Sequence, residues 1–261
     1  MQVNTWRTIG ASVIGTSHQQ YGIPCQDAHQ VCILPCQTLL IAIADGAGSA
    51  KRATDGSRVA VTAVVDAIRT ILKQDHPTDA NHWQQVLVDA FTASRNALVG
   101  YAVTEHMELR AFATTLTCVL ATDQWLAVGQ IGDGVVVAHM EDGQLFTVIH
   151  PQRGEYANET YFLTMTNAIQ YMEIHVIQMA SQSLAVMTDG ILRLALTLPS
   201  YEPYAPFFYP LFAFVAEEDD LGQAQTTLAA FLSSQRVCDC TDDDKTLVLA
   251  TQFVGSYQAK S

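Results

Sequence analysis

Positive charge is scarce in this sequence. Its 261 residues include 13 Lys and Arg against 26 Asp and Glu, which gives a formal net charge of −13 at pH 7. Such a surface repels nucleic acid and anionic lipid, so we expect neither as a partner. An excess of carboxylates also suits a protein that holds cations, although most acidic side chains are simply solvated.

Long apolar runs are missing as well. No stretch of about 18 uncharged apolar residues predicts a membrane span. The N-terminus lacks a basic segment followed by an apolar one, so we predict no signal peptide and expect a cytoplasmic protein with reduced thiols. Cys238 and Cys240 lie close together, but no second pair with zinc-finger spacing accompanies them, which favours structural thiols over a zinc site.

Internal repeats, low-complexity tracts and long linkers are also absent, and 49% of the residues are hydrophobic. We therefore predict one domain over residues 1–261. Residues 39–44 form a continuous apolar run, which predicts a buried strand. Two amphipathic helices are predicted around residues 60–72 and 83–101, and Asp79 or Asn81 can cap the second.

The second half of the chain is rich in predicted strands. Four short apolar runs between residues 115 and 149, separated by turn residues, predict an antiparallel meander. Residues 150–172 have weak periodicity and predict an irregular insertion. A strand at 183–188, a helix at 221–232 and a strand at 246–250 follow. This mixture favours antiparallel sheets packed together, with helices outside.

Acidic residues stand where predicted strands begin or end. Asp45 and Asp189 each follow an apolar strand, and Asp243 comes just before the closing strand. Such carboxylates are held rigidly, can converge at one edge of a sheet, and cannot share a small volume without cations. Oxygen-rich sites suit Mg²⁺ or Mn²⁺. Asp-Gly is also a common turn dipeptide, so the metal interpretation depends on the whole set and its order.

Six short motifs occur in a defined order along residues 10–250. They are Gln26-Asp27, Ala44 to Ser49, Thr114-Thr115, Ile131-Gly132-Asp133, Thr188-Asp189-Gly190 and Asp243 to Thr246. This order resembles the PPM, or type 2C, metal-dependent serine/threonine protein phosphatases, and residues 154–160 resemble a bacterial branch of that family. The resemblance implies an α+β fold, a four-layer α-β-β-α sandwich of two antiparallel sheets flanked by helices. It also implies a substrate-facing flap at about residues 150–175.

The same resemblance implies the ligands of two metal ions and of a weaker third. They are Asp45 as the bridge, the Gly46 carbonyl, Asp189, Asp243, Asp133 for the third ion, and Asp27 beside the site. Asp45 and Asp189 would thereby be catalytic. The implied activity is hydrolysis of phosphoserine and phosphothreonine by a metal-activated water, with Mn²⁺ or Mg²⁺ as cofactor.

The chain departs from the family pattern in three places. Gln26 replaces a glutamate, no arginine lies near Gly22 to grip phosphate, and Ala47-Gly48 replaces Gly-His. His18 is the nearest substitute, and it could contact phosphate or protonate the leaving alkoxide. It could equally be an ordinary loop histidine, and both interpretations stay open. Thr160 is expected to face the substrate.

Lys51 and Arg52 are a second possible phosphate clamp, although an exposed basic pair at a helix start is the simpler interpretation. The expected partner is a phosphorylated protein, such as a target of a cognate serine/threonine kinase, and the chain is expected to be a monomer. Two alternatives remain. Gln26 and the missing arginine favour a pseudophosphatase that acts as a regulatory or binding module, whereas the retained aspartates oppose it. A phosphodiesterase or nuclease would use the same ions, but the acidic surface disfavours it.

Overall fold

Two five-stranded antiparallel sheets form the centre of the structure. The computed structural model describes residues 3–152 and 160–255. The first sheet has the order β2-β3-β4-β5-β8 and consists of β2 (Ala28–Ile33), β3 (Leu39–Ala44), β4 (Leu116–Ala121), β5 (Leu126–Ile131) and β8 (Glu173–Ile177). The second has the order β1-β12-β9-β6-β7 and consists of β1 (Val3–Val13), β6 (Val135–Met140), β7 (Leu145–Ile149), β9 (Ser181–Met187) and β12 (Lys245–Gly255).

Helices cover the outer face of each sheet. The longer helices are α2 (Ala53–Gln74) and α3 (Ala80–Thr104) on the first sheet, and α5 (Ala205–Glu217) and α6 (Leu221–Leu232) on the second. The shorter elements are α1 (Thr16–Tyr21), α4 (Leu192–Ala195) and α7 (Gln235–Cys238), with a small ladder of β10 (Leu196–Thr197) and β11 (Glu202–Pro203). Within the ranges that the structure describes, no helix is both long enough and apolar enough to cross a membrane.

Three buried layers of apolar side chains separate the four layers of the fold. One lies between α2, α3 and the first sheet, one between the two sheets, and one between the second sheet and its helices. Strand β3 is a continuous apolar run because it is buried on both faces. Leu40 and Ala42 face the helical layer, while Ile41 and Ile43 face the other sheet, because side chains alternate along a strand. The predicted α-β-β-α sandwich is confirmed.

The predicted meander is wrong at one place. Strand β5 lies in the first sheet and β6 in the second, so residues 132–134 carry the chain from one sheet to the other and do not close a hairpin. Gly132 has φ +123°, and a Cβ there would lie 2.5 Å from the Thr115 side chain. Only glycine fits this crossover. The later Asp142-Gly143 pair does form the expected hairpin, between β6 and β7.

The predicted irregular insertion is partly described. Residues 153–159, including most of the bacterial-type segment, lie outside the described ranges. Residues 160–172 contain turns and a short 3₁₀ helix, and β8 then begins at Glu173. Arg95 on α3 donates to the carbonyls of Met165 and Thr166, and buried Leu163 donates its N–H to the Thr114 carbonyl at 2.8 Å. This end of the insertion is therefore tied to the helical layer and to the first sheet.

The layer beneath α3 allows a matched test of the packing. Val86 is 2% exposed in the core between α3 and the first sheet, whereas Val103 on the same helix is 70% exposed. We expect Val86→Ala to lower the free energy of unfolding by about 2 kcal/mol, since two methyl groups leave a filled core. Val103→Ala should change it by less than about 0.5 kcal/mol. Urea unfolding of both variants checks this, and equal losses would contradict the described layer.

Candidate active site

Five aspartates come together where the ends of the two sheets meet: Asp27 is buried, Asp45, Asp133 and Asp189 are half-buried, and Asp243 is exposed. Asp45 follows β3 and Asp27 precedes β2 in the first sheet, Asp133 lies in the crossover, and Asp189 and Asp243 lie beside β9 and β12 in the second. Burial raises the pKa of Asp45 well above its usual range, and the charges of the other four aspartates raise it further. Each of the other four predicted carboxylates is thus close enough to Asp45 to raise its pKa.

The other carboxyl groups respond in the same way. Burial raises the pKa of Asp189 to about 8, with added repulsion from Asp133, Asp243 and Asp27. Burial also raises the pKa of Asp27 to about 7, against hydrogen bonds that lower it, and raises the pKa of both Asp133 and Asp243. Without a compensating cation, several of these acids therefore hold protons near neutral pH.

Two threonines fix the orientation of Asp27. Its Oδ2 accepts hydrogen bonds from the hydroxyls of Thr188 at 2.8 Å and Thr246 at 2.7 Å, on neighbouring strands of the second sheet. Its Oδ1 is buried and has no hydrogen-bond partner among the described residues. A buried carboxylate oxygen left unpaired is costly unless a cation or water meets it, so Asp27 presents a free donor atom to the site.

The backbone around Asp45 is equally constrained. The Asp45 N–H donates to the Thr115 hydroxyl, while the Asp45 carbonyl accepts from the Thr114 hydroxyl and the Thr115 N–H, all within 2.9 Å. At Gly46 a Cβ would lie 2.7 Å from the Ala53 carbonyl oxygen, so only glycine allows the chain to turn so close to the start of α2. The two threonine motifs of the sequence therefore serve to position the aspartates.

Sequence reasoning missed the role of Asp244, which lies beside Asp243. Its two oxygens accept the backbone N–H groups of Gly15 and Gln26, each at 2.6 Å. His18 Nδ1 lies 3.0 Å from Asp244 Oδ1, at ion-pair distance but without the alignment of a hydrogen bond. Asp244 thus joins residues 15–26 to β12. The run of three aspartates signalled its presence but did not show which side chain faces the backbone.

Gln26, His18 and Thr160 also lie in this region. The Gln26 side-chain oxygen is buried without a hydrogen-bond partner in the described ranges. The charge of His18 acts on Asp243 and lowers its pKa, against the burial that raises it. Burial raises the pKa of Asp133, and the nearby Thr160 hydroxyl lowers it. That hydroxyl makes no hydrogen bond of normal geometry with a described residue.

The basic pair after the first Asp-Gly motif has other contacts. Arg52 forms ion pairs with Asp55 at 2.5 Å and Glu105 at 3.1 Å. These contacts support its interpretation as a structural residue at the start of α2. Lys51 is exposed.

The donor set fits a hydrated divalent cation. In residues 3–152 and 160–255, no three Asp, Glu, His or Cys side chains gather tightly enough to enclose an ion by themselves. Mg²⁺ usually keeps several waters and takes only one or two carboxylates directly, so it does not need a closed protein cage. The rigid, mutually repelling carboxylates and the unpaired Asp27 oxygen could supply the one or two direct ligands that such a hydrated ion takes.

Comparisons with known proteins agree with this geometry. Residues 14–233 match the family model described as Protein phosphatase 2C. Serine/threonine-protein phosphatase 3 of Escherichia coli (strain K12) is 34% identical over 252 residues, covering 94% of this chain and 98% of that protein.

Solved structures share the fold at lower sequence identity. Serine/threonine phosphatase Stp1 from Staphylococcus aureus superposes with a TM-score of 0.63 at 16% identity, over 96% of this chain and 97% of that one. The catalytic domain of serine threonine protein phosphatase PstP, in complex with two manganese ions, does so with a TM-score of 0.60 at 17% identity, over 96% and 100%. The family match and the E. coli relative each span most of the chain, and the resemblance stated from the sequence is confirmed: the chain belongs to the protein phosphatase 2C family.

Proposed function

We propose that this chain hydrolyses phosphoserine and phosphothreonine in other proteins, using Mn²⁺ or Mg²⁺ at the five-aspartate site. Membership of the protein phosphatase 2C family makes it a metal-dependent phosphoprotein phosphatase. One observation supports the placement of the chemistry. Aspartates from both sheets lie close together and raise one another's pKa, which is an unfavourable arrangement for a protein that holds no cation.

The proposed ligands are the residues that the sequence suggested. They are Asp45, the Gly46 carbonyl, Asp189, Asp243, Asp133 and Asp27. When bound, divalent ions polarise the phosphoryl group and make water acidic enough to attack it near neutral pH. The chain's contribution is to hold these oxygens in place before substrate arrives, through the hydroxyls of Thr114, Thr115, Thr188 and Thr246.

We assign His18 to the substrate side of the site. Its Nδ1 lies within ion-pair distance of the Asp244 carboxylate. We propose that His18 contacts the phosphate or donates a proton to the departing serine or threonine oxygen. Thr160, beside Asp133, is proposed to face the substrate from the described end of the flap.

The remaining proposals concern the biological setting. The substrate is a phosphorylated protein, such as the target of a cognate serine/threonine kinase, and the chain acts as a cytoplasmic monomer built as one domain over residues 1–261. No nucleic acid or membrane takes part, because the net charge of −13 disfavours both. The family match and the E. coli relative support a phosphatase, and neither favours the pseudophosphatase alternative.

The first test of this proposal compares two Asp-Gly sites. Turnover of a phosphothreonine peptide should vanish with EDTA and return with Mn²⁺ or Mg²⁺. Asp45→Asn should lower kcat by at least about a hundredfold, because it removes a ligand charge from the site. Asp142→Asn, in the exposed hairpin between β6 and β7, should retain full turnover. Undiminished activity in EDTA, or in Asp45→Asn, would contradict the assignment.

The raised pKa values predict how stability depends on pH. An acid whose pKa is higher in the folded protein than in the unfolded chain binds more protons when folded, so stability falls as pH rises from about 4 through about 8. Divalent cations compensate the ionised aspartates. The rise in Tm caused by saturating Mg²⁺ should therefore be larger at about pH 8.5 than at about pH 6. Thermal unfolding with and without Mg²⁺ checks this, and an equal or smaller rise at high pH would contradict it.

Gln26 and His18 should affect different steps. The Gln26 backbone N–H holds Asp244, so Gln26→Glu keeps that contact while adding a carboxylate near the ions, and Mn²⁺ affinity should increase. His18→Ala should leave Mn²⁺ affinity unchanged and raise KM or lower kcat. Calorimetric titration with Mn²⁺ and steady-state kinetics on both variants separate the two roles. Weaker Mn²⁺ binding in Gln26→Glu, or unaltered kinetics in His18→Ala, would overturn the corresponding assignment.

A further inference from the structure

A cavity of about 510 Å³ lies outside the second sheet, among α4, α5, α7 and the β10–β11 ladder. Apolar side chains form most of its wall, including buried Leu196 and Val237 and half-buried Phe207, Leu211 and Phe231. The wall is well supported. Phe207 packs against Phe231 with ring centroids 6.3 Å apart, and the backbone entering α5 is hydrogen-bonded to α4. Its volume falls in the range of small-molecule sites.

Two arginines that line this cavity have no partner among the described residues. Arg193 and Arg236 make no hydrogen bond or ion pair through their guanidinium groups with any residue that the structure describes. All other arginines in those ranges bind carboxylates or backbone carbonyls: Arg7, Arg52, Arg58, Arg69, Arg95 and Arg110. The cavity wall contains no Asp or Glu, although the chain carries a net charge of −13. Positive charge is therefore concentrated where apolar surface is also available.

We propose that this cavity binds a small amphipathic anion. The ligand has an aliphatic or aromatic body and a carboxylate or phosphate monoester head. The two guanidinium groups would hold the head, since their planar donor sets match such oxyanions. The wall offers only the hydroxyls of Thr197 and Tyr204 as further side-chain hydrogen-bonding groups. A sugar or nucleotide body would therefore lose hydrogen bonds to water without replacement, whereas an alkyl chain loses none.

This site is separate from the aspartate cluster but connected to it. None of the five aspartates lines the cavity. Arg193, however, lies on α4, which directly follows the short 3₁₀ turn Asp189–Ile191. At Gly190 a Cβ would lie 1.9 Å from the Asp244 carbonyl oxygen, so this turn has no space to shift independently. The proposal does not depend on the proposed phosphatase mechanism.

Calorimetric titration with dodecanoate and dodecyl phosphate, each below its micelle concentration, tests the binding. Dodecyltrimethylammonium serves as the cationic counterpart of equal chain length. We expect one anion per chain and weaker binding, by at least about tenfold, of the cation. The double variant R193Q/R236Q should lose at least about tenfold in dodecanoate affinity. The matched double variant R58Q/R69Q removes two exposed arginines from α2 and should bind dodecanoate like the unmodified chain.

Further measurements distinguish binding inside the cavity from binding elsewhere on the surface. Leu211→Trp should block binding, because it fills the apolar part of the cavity while leaving both arginines in place. An unchanged Tm and an unchanged circular dichroism spectrum would show that each variant is folded. Equal affinity for the anionic and cationic amphiphiles, or unchanged dodecanoate affinity in R193Q/R236Q, would overturn the proposal. It would also fail if the free anions did not bind while phosphatidylglycerol vesicles did, since the surface would then be a membrane contact.

Discussion

Electrostatic repulsion among clustered aspartates is the constraint around which this molecule is organised. Asp45 and Asp189 come from different sheets, yet the charge of Asp189 helps to raise the pKa of Asp45 because both side chains are largely shielded from water. A fold can keep such charges together only if it fixes their backbones and leaves room for compensating cations. The threonines beside both aspartates and the tightly packed Gly46 and Gly190 meet the first condition.

Asp244 shows that not every acid in the cluster serves the same purpose. Its oxygens bind the backbone N–H groups of Gly15 and Gln26, so it is a structural anchor within a set of prospective ligands. This anchoring has a consequence for Gln26. Its main chain is held firmly, while its side-chain oxygen is buried without a partner in the described ranges. A neutral amide therefore lies beside the aspartate cluster, where the family has a glutamate carboxylate. The local charge is thereby reduced without moving the backbone.

Much of the fold was predictable because buried strands and helices have recognisable apolar patterns in the sequence. The apolar run of β3, the helical periodicity of α2 and α3, and the cap at Asp79 all appear as expected. The change of sheet at residues 132–134 was not predictable, since Gly-Asp-Gly is equally compatible with a hairpin and with a crossover. Strands β1 and β2 and helix α5 were not predicted either. Helix α5 is apolar on most of its surface and contains Pro210, so it lacks a clean amphipathic pattern.

The site was predictable to the level of residue sets but not of contacts. The order of motifs named the five aspartates that the structure brings together, because side chains at strand ends stay adjacent to apolar runs. It named Asp243 but gave no sign that the adjacent Asp244 binds the backbone N–H groups of Gly15 and Gln26. Nor could it identify the pairing of Asp27 with Thr188 and Thr246, which depends on the lateral order of strands. Such contacts arise from three-dimensional packing and have no local signature.

The pairing of β1 with β12 sets the order in which the molecule can be completed during synthesis. The first described strand pairs with the last along all eleven residues, and β12 lies between β1 and β9 in its sheet. On a ribosome, Asp45 and Asp133 therefore emerge long before the strand that carries Asp243 and Asp244 into place. Until β12 is released, β1 and β9 expose unpaired edges, a state that slows folding and invites association. Closure of this sheet therefore waits for β12, the same strand that follows directly on Asp243 and Asp244.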